Sequence, residues 1–347
     1  MKKFVLICTF CLAILGGCSR ESIKENLDET LVVRYKGADM PVYVHGNIDS
    51  KVIVLIVHGG PGGNGPEYRT GPYAEDLETR YAVAYWDQRG QGMSHGKYNS
   101  EDLTMELMAE DMRAVVLTLK SKYDDASIFA LGHSWGGTVS SKFMISGDNQ
   151  FLLNGWIEAD GAHDIPKLNI DAVKMFQEVG QEQIAMGNNV SNWQDITEWA
   201  DGIDTLDISK EVGGEINEKG HKVSEWLIED KVINGSSSGG IESSGLKGHT
   251  NPLTSFLSGN YTSNKLVENG IEEVSYTAEL NKVAIPSLFL WGRYDFVVPP
   301  SLAYDAYNNV SSSFKKIVIF EKSAHSPMDT EWEAFNKEVV DFIESHK

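Results

Sequence analysis

Ser127-Ile128-Phe129-Ala130-Leu131-Gly132-His133-Ser134-Trp135-Gly136-Gly137 is the stretch that decides how the rest of the chain reads. Ser127 to Leu131 has the makings of a short strand buried on both faces, and Thr138 to Ile145 follows as a helix-like run. Between them stands Gly132-x-Ser134-x-Gly136, whose small residues let a turn bend sharply enough to expose a hydroxyl. A neutral serine is a weak nucleophile. It serves acyl transfer only with a base to take its proton and donors to hold an oxyanion. The strand-turn-helix context makes Ser134 the candidate nucleophile.

Outward from this run, similar short strands recur. Leu31 to Tyr35 and Pro41 to His45 read as an antiparallel pair with Lys36-Gly37-Ala38-Asp39 as the turn. Lys51 to Val57, Tyr81 to Trp86, Trp156 to Ala159, Ser287 to Trp291 and Ile317 to Phe320 complete a set of eight, separated by helical patterns such as Leu103 to Lys122 and Thr330 to His346. Alternation of this kind predicts an α/β fold with a mostly parallel sheet flanked by helices, and ligands bind beyond the carboxyl ends of such strands. The alternation breaks from 162 to 281, a segment with Trp193, Trp199, Trp226 and the glycine- and serine-rich run Gly235 to Gly245. It reads as a helical cap inserted between core segments 29–161 and 282–347, because the sheet pattern that resumes at Val283 needs its earlier strands.

The remaining parts of an acyl-transfer site are expected at other strand ends. Asp295 follows Ser287 to Trp291, and His325 follows Ile317 to Phe320, giving the chain order serine, acid, histidine. His325 would take the Ser134 proton and return it to the leaving group, while Asp295 would fix the histidine tautomer. Asp160, with Glu158 nearby, ends an earlier strand and is the alternative acid. The oxyanion donors would be the backbone N–H of Trp135 and that of Gly60, in His58-Gly59-Gly60-Pro61-Gly62-Gly63. This loop lacks the Walker lysine and the Gly-x-Gly-x-x-Gly spacing of nucleotide sites. Asp87-Gln88-Arg89-Gly90-Gln91-Gly92-Met93-Ser94 suits a tight hydrogen-bonded loop supporting the site. His45, His58, His95, His133 and His163 show no metal-ligand spacing, so neither metal nor cofactor is expected.

With 347 residues, 41% hydrophobic and 23% charged, the composition is that of a globular protein, and a net charge of −20 argues against a nucleic-acid partner. At the N-terminus, Lys2 and Lys3 precede an apolar stretch from Phe4 to Leu15, and Leu15-Gly16-Gly17-Cys18 resembles the bacterial lipobox. That resemblance implies a signal peptide over 1–17, an acylated (palmitate-bearing) Cys18, a polar tether over 18–28, and a lipid anchor in the cell envelope outside the cytoplasm. Removal of 1–17 would take away Cys8 and Cys11, leaving Cys18 as the sole cysteine.

Taken together, His58 to Gly63, Asp87 to Ser94, Ser134-Trp135-Gly136, Gly292-Arg293-Tyr294-Asp295 and Ala324-His325-Ser326 resemble the prolyl iminopeptidase-related branch of the α/β-hydrolases. The resemblance spans about residues 50 to 345 and implies an α/β-hydrolase fold and removal of an N-terminal residue, often proline, from a short peptide or aryl amide. In that family acidic side chains bind the free amino group, and no residue of this cap matches them. The elbow departs as well. The family often has Gly-Gly-Ser-Trp-Gly-Ser where His133 and Gly137 stand here, and these two fit esterases equally. A small-ester carboxylesterase using the same triad is the alternative, and a non-catalytic binding protein on the same scaffold is a further one.

Overall fold

The computed structural model describes residues 26–235 and 251–347. The signal peptide, Cys18 and most of the tether, together with 236–250 of the glycine- and serine-rich run, lie outside the described residues. Nine strands form one sheet: β1 (Leu27–Tyr35), β2 (Ala38–Gly46), β3 (Val52–Val57), β4 (Ala82–Trp86), β5 (His95–Gly96), β6 (Ser127–His133), β7 (Gly155–Ala159), β8 (Ser287–Gly292) and β9 (Lys315–Phe320). Their spatial order is β1-β2-β4-β3-β6-β7-β8-β9, with the two-residue β5 pairing β2. From β4 to β9 along that path every pairing is parallel, while β1 and β2 are antiparallel to their neighbours.

Three details differ from the sequence reading. The hairpin turn is only Lys36-Gly37, both at positive φ (40° and 82°), so that Ala38 and Asp39 pair with Tyr35 and Arg34. Positive φ at both central residues of a two-residue turn matches the twist of the strands, which the longer predicted turn would not. The strand also begins earlier than the tether boundary allowed, because Leu27 and Asp28 pair with Gly46 and His45. Finally β5, too short to leave a periodic signal, raises the expected eight strands to nine.

Ten helices are described. On one face of the sheet pack α2 (Met105–Lys122), α3 (Trp135–Ile145) and α8 (Ser301–Asn309), and on the other α1 (Gly71–Arg80), α9 (Pro327–Thr330) and α10 (Trp332–His346). Strand β3 shows why both faces need covering. Ile53, Leu55 and Val57 enter one core while Val52, Val54 and Ile56 enter the other, with every residue buried. Between β7 and β8 lie α4 (Ile165–Met186), α5 (Val190–Asp201), α6 (Lys210–Glu229) and α7 (Pro252–Glu268). Phe176, Trp193, Ile216, Val223 and Leu227 give α4, α5 and α6 a core of their own, which also takes in Phe296, whereas Leu266 of α7 joins a core against the sheet. Ile271, Tyr276 and Leu280, expected in the cap, instead join the core beneath the sheet.

Candidate active site

All the candidate residues stand at the carboxyl ends of parallel strands. Ser134 joins β6 to α3 with φ 55° and ψ −123°. A non-glycine residue there stores roughly 1–3 kcal/mol of strain and persists only where its surroundings hold it. The Ser134 carbonyl accepts the N–H groups of Gly137 (2.8 Å) and Ala162 (3.0 Å), and its own N–H donates to Ala159 O at 3.2 Å. The flanking glycines are required by close approach. A Cβ at Gly136 would collide with the Val57 carbonyl, and one at Gly132 would stand 2.6 Å from Gly136 O.

Asp295 and His325 meet directly. His325 Nδ1 donates to Asp295 Oδ2 at 2.8 Å. Asp295 is fully buried, and its Oδ1 accepts the N–H groups of Val297 (2.9 Å) and Val298 (2.8 Å). Asp160, the alternative acid, is not the partner of the histidine: its Oδ1 accepts Gly292 N–H at 2.9 Å. The imidazole is partly exposed, as is Ser134. No hydrogen bond joins Ser134 Oγ to His325 in this structure. Their proximity is set by the residue beside Ser134, since the His133 and His325 rings are 4.9 Å apart.

His133 does more than occupy the variable position of the elbow. Its Nε2 lies 2.7 Å from His325 O, and because a carbonyl can only accept, Nε2 carries the proton. Burial, then the neighbouring His325, pushes this ring down to about 3, so it is neutral and its Nδ1 accepts the Tyr68 O–H at 2.6 Å. Tyr68 Oη in turn accepts Gly59 N–H at 2.8 Å. One chain of three hydrogen bonds thus ties the glycine loop to the elbow and to the backbone of the histidine. Tyr68 was not singled out from the sequence. It sits in a short turn with no period or motif, and its partner is 65 positions away.

The glycine loop lies against Ser134. A Cβ on Gly59 would be 3.2 Å from Ser134 Cβ, and neighbouring Gly60 has φ 133°. Trp135 opens α3, so its N–H belongs to the first helical turn, where amides lack intrahelical acceptors. These are the two positions expected to supply oxyanion donors. The Asp87 to Ser94 loop braces both. Gln88 Oε1 accepts Trp135 Nε1–H at 2.9 Å, Gln88 Nε2 donates to His58 O at 2.8 Å, and Gln91 Oε1 accepts Gly62 N–H at 2.5 Å. Asp87 accepts the N–H groups of Gly65 and Met93, and burial pushes its carboxyl up to about 6. Burial lowers His58 to about 4, and its neutral ring donates from Nδ1 to Gly59 O at 2.7 Å.

Gly137, the other departure from the family elbow, has a steric cause. A Cβ there would collide with Gly161 and approach Glu158 Oε1 to 3.0 Å. Glu158 is itself buried beneath the elbow in a 2.9 Å pair with His163. From the cap, the exposed His221 of α6 stands edge-on to His325 with ring centroids 5.9 Å apart. A lone histidine in a helical insertion gave no sequence signal.

Residues 49–195 match the family model described as serine aminopeptidase, S33. The chain is 23% identical to a proline iminopeptidase of Saccharolobus solfataricus over 297 residues, covering 84% of each chain. Among solved structures it is similar to the proline iminopeptidase of Mycobacterium smegmatis, with a TM-score of 0.60, 14% identity and coverage of 92% of this chain and 98% of that one. It is likewise similar to an esterase from Rhodococcus, with a TM-score of 0.55, 17% identity and coverage of 92% and 99%. The chain has the α/β-hydrolase fold. Within that fold its sequence is similar to those of aminopeptidases and proline iminopeptidases.

Proposed function

We propose that this α/β-hydrolase uses Ser134 as nucleophile, His325 as base and Asp295 as the acid that orients it, transferring an acyl group to water through an acyl-enzyme. The observation that carries this reading is the 2.8 Å bond between His325 and a buried Asp295, beside a serine in a strained elbow. His325 takes the Ser134 proton as Oγ attacks the carbonyl carbon, and the Gly60 and Trp135 N–H groups receive the oxyanion. Collapse of the tetrahedral intermediate breaks the bond to the leaving group, which takes the proton from His325. Water then repeats the sequence on the ester of Ser134.

For substrate, we take short peptides or aryl amides with a free N-terminal residue, as the proline iminopeptidase relationship supports. Purified protein should release arylamine from aminoacyl arylamides, and Ser134→Ala should abolish that release. No turnover across a panel including proline and alanine would sink the peptidase assignment. One observation favours esters instead: His221, a cap group facing His325, brings no negative charge to meet an ammonium. Short acyl esters hydrolysed with no gain from a free α-amino group would select this second reading. The resemblance of Leu15-Gly16-Gly17-Cys18 to the lipobox supports a reaction at a membrane surface outside the cytoplasm. Metabolic palmitate labelling that survives Cys18→Ala would overturn that part.

A further inference from the structure

Behind the Asp295 and His325 pair lies a second carboxyl group that the mechanism above leaves unused. Asp160 directly follows β7, is fully buried, and sits at φ 45°, so its backbone is held in a conformation that non-glycine residues adopt at a cost. Its Oδ1 accepts Gly292 N–H. Its Oδ2 is buried with no N–H or hydroxyl donor among the described residues. Asp160, Asp295 and His325 each contribute an oxygen or nitrogen lying within 4.8 Å of the others.

Two carboxylates that close inside the protein oppose each other's ionisation, and the Nδ1 proton of His325 is already engaged by Asp295. Asp295 is committed as the anion, because it accepts two backbone N–H groups and the imidazole N–H. The titratable groups that face Asp160 are Asp295 and His325 from the loops after β8 and β9, Glu158 from β7, and Tyr68 from across the site. The one cation this set can furnish is His325, already paired with Asp295. Burial, and then the Asp295 charge, push the Asp160 carboxyl well above the usual carboxylate range.

We propose that Asp160 is a positioning residue: a neutral carboxylic acid that donates its proton in a hydrogen bond to the Asp295 carboxylate. The bond adds a fourth donor to Asp295 and fixes the plane of the carboxylate that His325 meets. It also draws charge away from the imidazole and thereby restrains its basicity. The proton stays on Asp160 throughout, so Asp160 is not a relay. This assignment rests on the Ser134, Asp295 and His325 reading.

The test follows the pH dependence of fluorophosphonate labelling at Ser134 and of p-nitrophenyl acetate turnover in the full chain, for wild type, Asp160→Asn and Asp160→Ala. Absence of labelling in wild type would overturn the triad reading itself, whereas a labelled enzyme isolates the role of Asp160. An amide can still donate to Asp295 and accept from Gly292, so Asp160→Asn should lower the rate about threefold and leave the apparent pKa of the acidic limb where it was. Asp160→Ala removes the donor, and should lower the rate at least about tenfold with the acidic limb moved upward. A downward move of about one unit or more in Asp160→Asn would mean that an anion had been removed, and would overturn the proposal. Equal behaviour of all three proteins would overturn it too. Should the alanine variant fail to fold, infrared spectra of wild type and Asp160→Asn still decide: a protonated carboxyl stretch must be present in the first and missing from the second. Activity lost on dialysis against a chelator and restored by a divalent ion would instead make the cluster a metal site.

Discussion

The loops around Ser134 and the cap above them are built on different principles. In the loops, backbone comes within contact of backbone, and polar groups are satisfied in linked sets such as Gly59, Tyr68, His133 and His325. In the cap, aromatic packing does the work. Trp193 meets Trp226 edge-on at 5.5 Å, and Phe176 meets Trp199 at 5.8 Å and Phe296 at 5.0 Å. Hydrogen-bonded loops tolerate few residue types at each position, whereas a hydrophobic cluster accepts many side chains of suitable volume. Chemistry is therefore tightly specified, and selectivity loosely.

The contrast should be broken most severely at Ser134, the proposed nucleophile. Ser134→Ala should reduce turnover by about four to six orders of magnitude with the fold intact, measured by kinetics and thermal melting. Next comes Gly136→Ala, whose Cβ has nowhere to go but into the Val57 carbonyl. It should cost about 3 kcal/mol or more in urea unfolding, or prevent folding outright. Tyr68→Phe leaves the buried His133 Nδ1 without its donor and Gly59 N–H without its acceptor. We expect about 1–3 kcal/mol lost in stability and turnover lowered about tenfold, and unchanged kinetics would show the chain of bonds to be incidental.

The same loops predict a pH dependence. His133 and His58 are held neutral in the fold, near 3 and 4, against an ordinary value of 6.5. Between those limits the unfolded chain binds more protons, so stability is full above about pH 6.5 and falls as the pH drops, by about 1.4 kcal/mol per unit for each histidine. Urea midpoints at pH 7 and pH 5 would measure it, and His133→Asn should flatten the slope. The smallest effect belongs to the cap. His221→Ala should leave fluorophosphonate labelling within about threefold of wild type, changing chiefly the ratio of kcat/KM for amide and ester substrates. A large loss of labelling would instead place His221 among the groups that serve the chemistry.

What could be read from the sequence follows the same division. Ser134, Asp295 and His325 stood out as candidates because each follows a predicted strand, Ser134 within a glycine-flanked turn, and because their chain order is characteristic. The parallel sheet was legible from its apolar runs, apart from the two-residue β5 and the tightness of the Lys36-Gly37 turn. Tyr68, His221 and the neighbour relation of Asp160 and Asp295 were not. Each depends on which side chains meet across 65 to 135 positions, and that is decided by packing rather than by local spacing. His133 was visible as a departure from a family pattern, yet its role required knowing that Tyr68 stood opposite.

Two glycines of the cap give the division a mechanical side. Gly259 of α7 lies backbone to backbone on Gly62 of the oxyanion loop, and a Cβ on Gly220 of α6 would stand 2.8 Å from the carbonyl of Phe296, next to Asp295. The insert is thus seated on both the glycine loop and the Asp295 loop of the proposed site, with no side chain between to serve as a cushion at these two contacts. Anyone grafting a new cap onto this scaffold inherits both close backbone contacts. These two bare footings have to be kept, along with side-chain ties such as Thr262 to the Gly90 carbonyl and Ser301 to Asp171.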